Sequence, residues 1–184
     1  MKKEYYYYLV ERCPQAKEIL EDPQYLALEK IPRHFYSNTL EHSVHVALLM
    51  GWLAERHHGD VASCIKVGLL HDMCFVNYRE ENDHPGLYCF YHPEEAIENG
   101  DASYGLNEHE TLSIRCHMWP LAFHMPASRM AVALTLTDKV TAVYEVLYGM
   151  KRVSRTVRRF AERVMPEFRC SRALSSKIRI RRLR

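Results

Sequence analysis

A histidine–aspartate doublet, His71–Asp72, closes the apolar run Val61-Ala62-Ser63-Cys64-Ile65-Lys66-Val67-Gly68-Leu69-Leu70. The doublet restricts what the chain can fold into. A carboxylate and an imidazole at a buried helix end are costly unless other groups pair with them or ligate a shared cation. Candidate partners lie on both sides: His42 upstream, and His92, His117 and Asp138 downstream. Gaps of roughly 20–30 residues between them suit ligands carried on successive helices that converge on a bundle core. Asp138 follows the apolar stretch Ala131-Val132-Ala133-Leu134-Thr135-Leu136-Thr137. Burial there requires either a cation or an ion pair, with Lys139 or an arginine as the alternative partner.

The rest of the chain reads as all-α. Residues 14–30 form a helical region interrupted near Pro23 and ended by Pro32, and Ser37-Asn38-Thr39 offers an N-cap for a helix over 39–57. In that helix Leu40, Val44, Ala47, Leu48 and Gly51 follow the 3–4 spacing of a buried face, with His42 and His45 on a neighbouring stripe. A helix over 61–72 delivers the doublet at its end. Residues 73–91 read as irregular. His92-Pro93 opens a further helix, with the proline suited to a first turn, and Asn99-Gly100-Asp101 stops it. Asn107 caps a helix over 108–118, and Pro120 and Pro126 bracket a loop. A long helix over 127–149 carries Ala131, Leu134, Asp138, Ala142, Glu145 and Val146 at 3–4 spacing. Beyond it, 151–169 fits an amphipathic helix through Val153, Val157, Phe160, Val164 and Phe168. Tyr5-Tyr6-Tyr7-Tyr8 reads as packing against the core, or as an exposed contact surface.

Charge divides the chain. Residues 151–184 hold 13 Lys and Arg against Glu162 and Glu167, a net of +11. The 12 basic and 21 acidic residues before them leave 1–150 at −9. A basic tail suits a polyanionic partner such as nucleic acid, or folds back on the acidic body. The expected organisation is one domain over 1–150 and a basic C-terminal helix or tail over 151–184. No apolar stretch of about 18 residues predicts a membrane span, and the N-terminus lacks the apolar segment of a signal peptide. Six scattered cysteines (13, 64, 74, 89, 116, 170) without a Cys-x-x-Cys pair fit a reducing cytoplasm.

The order His, His-Asp, Asp resembles the HD-domain superfamily of metal-dependent phosphohydrolases. Glu41-His42-Ser43-Val44-His45-Val46-Ala47 is similar to its first-ligand helix, Gly68-Leu69-Leu70-His71-Asp72 to its signature, and Leu136-Thr137-Asp138-Lys139 to its final aspartate. His92-Pro93 and His117-Met118-Trp119-Pro120-Leu121 resemble a bacterial subgroup of small stand-alone HD hydrolases whose extra histidines hold a second metal. The resemblance covers about 32–147. It implies a helical bundle with the metal site at its centre. His42, His71, Asp72 and Asp138 would hold one divalent cation, and Asp72 would bridge to a second held by His92 and His117. The metal, among Mn, Fe, Ni, Zn and Mg, is left open by these ligand types. Asp72 and Lys139 take the catalytic roles, and Arg33 and Lys139 are the candidate contacts to substrate phosphate. A salt bridge is the competing role for Lys139. His34 and His45 are either near the site or on the surface.

Two departures matter. Many single-metal HD nucleotidases carry an acid shortly after the doublet, but Met73-Cys74-Phe75-Val76-Asn77-Tyr78 offers none before Glu80. Acid assistance then falls to a histidine, to Lys139 or to metal-bound water alone. The Gly-Tyr-Pro signature of cyclic-di-GMP phosphodiesterases is absent. The implied activity is hydrolysis of a small phosphoester, with nucleotides as one class. Two other functions share the sequence features: a mixed-valent di-iron oxygenase of HD type, and a metal-stabilised protein that binds polyanions through its basic tail.

Overall fold

The computed structural model describes residues 1–33, 37–77, 79–80 and 86–149. The basic tail and its amphipathic pattern, like His34, lie outside the described residues. Those that are described form helices α1 (Lys3–Arg12), α2 (Gln15–Glu21), α3 (Pro23–Leu26), α4 (Thr39–Arg56), α5 (Val61–Leu70), α6 (Tyr88–Tyr104), α7 (Glu108–Cys116) and α8 (Arg129–Gly149). A 3-10 turn over Ala27–Lys30 follows α3. No strand is present among the described residues, and the expected all-α class holds.

Local capping sets most helix starts. The Asn38 side chain accepts from Glu41 N at 2.9 Å, and the Asp60 side chain from Ser63 N at 3.0 Å. Asn107 and Glu110 form a reciprocal capping box. Asp22 caps α3, where Pro23 takes the first turn, so the expected interruption falls there. The tyrosine run belongs to α1, a helix that the sequence reading did not place. Its start has no side-chain cap, and aromatic residues are only moderate helix formers. Burial of Tyr5 and Leu9, one turn apart, docks it instead.

Helix α6 corrects the sequence reading at both ends. It starts at Tyr88, not at His92-Pro93, which leaves Pro93 inside the helix. The extra turn is held by the Tyr88 ring stacked on His92, at 4.3 Å between centroids. Nor does Asn99-Gly100-Asp101 stop it, because Gly100 is buried at the crossing with α5. A Cβ there would meet Leu106 Cδ1 at 3.4 Å and Leu70 Cδ1 at 3.6 Å. The helix ends at Gly105, where φ is +63°. Smaller corrections follow from capping. Helices α5 and α7 each end two residues before their expected limits, with His71 and His117 as C-caps, and α8 starts at Arg129 after Ser128 Oγ accepts from Ala131 N at 3.0 Å.

Helix α4 packs against α5 on one side and α8 on the other. The α4–α5 approach is close enough that a Cβ on Gly68 would lie 2.5 Å from Ala47 Cα and 2.8 Å from Ala47 N. Leu9, Ile19, Met50, Ile65 and Leu69 are fully buried around this contact. Each contributes roughly 1.5–3 kcal/mol by leaving water. Tyr25, also fully buried, donates its hydroxyl to Leu69 O at 2.7 Å, which satisfies a carbonyl at the end of α5. That end is where the doublet emerges.

Candidate metal centre

Five helices deliver one cluster. His42 lies in the first turn of α4, His71 caps α5 with Asp72 next to it, His92 is on α6, His117 caps α7 and Asp138 is mid-α8. All six are buried, with Asp138 the most accessible at 4%. The structure therefore brings all six expected ligands together. Two groups have ligand atoms within 4.8 Å of one another: His42, His71, Asp72 and Asp138, and Asp72, His92 and His117.

Asp72 belongs to both groups through different oxygens. Its Oδ2 lies 3.3 Å from His71 Nε2 and 3.7 Å from His42 Nε2. Its Oδ1 lies 3.3 Å from His92 Nε2 and 3.6 Å from His117 Nε2. Asp138 Oδ1 closes the first group, 2.9 Å from His42 Nε2 and 3.7 Å from His71 Nε2.

The backbone fixes which nitrogen points inward. His71 Nδ1 donates to Gly68 O at 2.9 Å, His92 Nδ1 to Tyr88 O at 2.7 Å, and His117 Nδ1 to Ile114 O at 2.6 Å. Each Nε2 is therefore turned toward Asp72. His42 reaches the same state through a carboxylate, with Nδ1 facing Glu145 Oε2 at 3.2 Å. Glu145 also accepts from Ser37 Oγ at 2.8 Å and faces His45 Nδ1 at 3.3 Å. Its role was not assigned from the sequence. The available signal was its place seven residues after Asp138 on the same face of α8. His45 touches Glu145, with its ring edge-on to Tyr5.

This donor set fits divalent cations. His71 Nε2 and Asp72 Oδ1 are buried without a hydrogen-bond partner. His92 Nε2 and His117 Nε2 approach to 2.9 Å although both rings have already committed Nδ1–H to a carbonyl. Such a contact needs a positive charge, either a proton or a metal. Burial, together with the charges on His92 and His71, pushes the His117 pKa well below its ordinary value and disfavours the proton there. Burial also opposes charge on His71, but Asp72 and Asp138 outweigh it and raise its pKa to about 9. Asp72 and Asp138 are held as carboxylates far below the usual range. Burial is outweighed for Asp72 by Arg33 and His71, and for Asp138 by His42 and His71. Glu145 is pulled down to about 2 against burial by His42 and His45. Mixed imidazole and carboxylate ligands suit borderline divalent cations.

Two cations border the cluster. Arg33, buried beside the doublet, forms an ion pair through Nη2 with Asp72 Oδ2 and donates from Nη1 to Tyr88 Oη at 2.9 Å. Lys139 pairs with Asp138 Oδ2 at 2.8 Å and donates to His117 O at 2.7 Å, so the salt bridge foreseen as its alternative role is present. Its side chain is one-third exposed. After the doublet, Cys74 donates to Glu95 Oε2 at 3.2 Å. Burial raises the thiol to about 12 and keeps it protonated.

No described helix is long and apolar enough to cross a membrane. Neither a curated protein nor a solved structure matches the chain. Residues 39–115 match the family model of the HD domain, a span that carries His42, His71, Asp72 and His92. With this match, the helical architecture and the buried His/Asp cluster, residues 39–115 are identified as an HD domain.

Proposed function

We propose that this protein hydrolyses a small phosphoester at a binuclear metal centre, with nucleotides the first substrates to screen. The observation that carries the reading is Asp72, whose two oxygens face two separate sets of imidazoles. HD domains are generally metal-dependent phosphohydrolases. Bound between these sets, divalent cations would supply an activated water and neutralise phosphoryl oxygens. His42, His71, Asp72 and Asp138 would hold one, and Asp72, His92 and His117 the other.

The remaining roles belong to the protein's own side chains. Arg33 supplies a fixed planar cation beside Asp72, suited to a pair of phosphoryl oxygens. Lys139 supplies an ammonium that is partly open to solvent and anchored on His117 O. It is the group we assign to proton donation toward the leaving oxygen, because its side chain reaches solvent beside Asp138, whereas Cys74 is buried with its proton directed at Glu95.

Metal analysis of protein purified without chelator, followed by a phosphoester screen with the metal found, tests this function. Two equivalents and phosphate release are expected. One equivalent would refute the binuclear centre. Two equivalents of iron with oxygen consumption and no phosphate release would replace hydrolysis by oxygenase chemistry.

A further inference from the structure

Tyr88 touches both halves of the cluster without belonging to either ligand group. On one side its ring lies flat against the His92 imidazole, with centroids 4.3 Å apart and planes 6° from parallel. The two residues are one helical turn apart on α6, so they share a face. The Tyr88 carbonyl also accepts His92 Nδ1–H at 2.7 Å. Tautomer and ring plane of His92 are thus both set by Tyr88, and together they aim Nε2 at Asp72 Oδ1. On the other side the Tyr88 hydroxyl accepts from Arg33 Nη1 at 2.9 Å, and the guanidinium lies 5.4 Å from the Tyr88 ring centroid. The second guanidinium nitrogen pairs with Asp72 Oδ2.

We propose that Tyr88 is a positioning residue that couples the two halves of the centre: its ring orients His92 for the second cation, and its hydroxyl fixes Arg33 for a phosphate. The inference rests on the binuclear reading above. It separates one side chain into two chemical functions. The stack needs an aromatic ring and no oxygen. The Arg33 contact needs the oxygen. A residue that merely filled space would show no such division.

Two variants separate these functions, with Mn2+ and inorganic phosphate as probes of the full-length protein. Tyr88→Phe keeps the ring and should leave both Mn2+ affinities within about twofold of wild type. It removes a hydrogen bond from a charged donor, so phosphate binding to the Mn2+-loaded protein should weaken about tenfold. Tyr88→Leu removes the ring and should weaken the second Mn2+ site by about 10–100-fold, as loss of an orienting partner does, with the first site retained. Retention of the first site also reports that the variant is folded. The proposal is overturned if Tyr88→Leu keeps both Mn2+ affinities, if Tyr88→Phe loses the second site as Tyr88→Leu does, or if phosphate binds Tyr88→Phe as it binds wild type. Wild-type protein that takes up a single Mn2+ would instead refute the binuclear centre, and the role of the ring with it.

Discussion

His42 on α4 and Glu145 on α8, 103 residues apart in sequence, meet through Nδ1 and Oε2 at 3.2 Å, and this contact turns His42 Nε2 onto Asp138. Helix α4 thereby supplies a candidate ligand and α8 the group that orients it.

Replacement of Glu145 tests that coupling. Glu145→Ala should lower affinity at the site of His42, His71, Asp72 and Asp138 by about 10–100-fold and leave the His92–His117 site unchanged. Glu145→Gln, which keeps an acceptor for His42, should fall between the two. Mn2+ titration monitored by calorimetry reads each site. Equal affinities in Glu145→Ala and wild type would show that packing alone orients His42.

Removal of a ligand should act according to which group holds it. Asp72→Ala should abolish binding of both cations and all hydrolysis, and it leaves Arg33 buried without its carboxylate, at a cost of about 3–5 kcal/mol. His117→Ala should remove one cation only and keep the melting temperature of the metal-free protein within a few degrees. Metal equivalents after gel filtration, read beside thermal melts, decide both. Full metal content in Asp72→Ala would refute the assignment of the centre.

Gly68 is required by the approach of two backbones. Gly68→Ala places a methyl 2.5 Å from Ala47 Cα, so α4 and α5 must separate. The expected loss is about 1–3 kcal/mol or more, together with weaker metal binding, because Gly68 O also holds His71 Nδ1. The opposing atoms are Cα and N of Ala47, so Ala47→Gly should not rescue stability. Denaturant unfolding of the single and double variants measures this, and rescue in the double variant would place the clash elsewhere.

The metal-free protein should become less stable as pH rises through the alkaline range. The His71 pKa stands at about 9 against an ordinary value of 6.5, because Asp72 and Asp138 overcome the opposing effect of burial. A raised folded-state pKa contributes stability that is complete below pH 6.5 and is lost as pH rises through about 9. Cations need the neutral imidazole, so their binding strengthens over the same interval as the proton leaves. The melting-temperature difference between loaded and chelated protein should therefore widen from pH 6.5 to pH 9. Thermal melts with and without chelator measure it, and a constant difference would show that His71 does not titrate there.

The sequence by itself determined the helical class, most of the helix starts and the six candidate ligands that the fold brings together. Asn38, Asp60 and Asn107 cap groups three residues away, and so short a range is legible in a single chain. The His71–Asp72 doublet and Asp138 in its apolar setting announced a buried charge that needed a partner. Tertiary structure decided the rest. Pro93 and Gly100 read as the start and end of a helix by local rules, yet the Tyr88–His92 stack and the crossing with Leu70 carry α6 past both. The Glu145–His42 and Arg33–Tyr88 contacts join residues on separate elements, 103 and 55 positions apart. Local propensity says nothing of such pairs, because which side chains meet across a bundle depends on how its helices pack, and packing is a property of the whole chain.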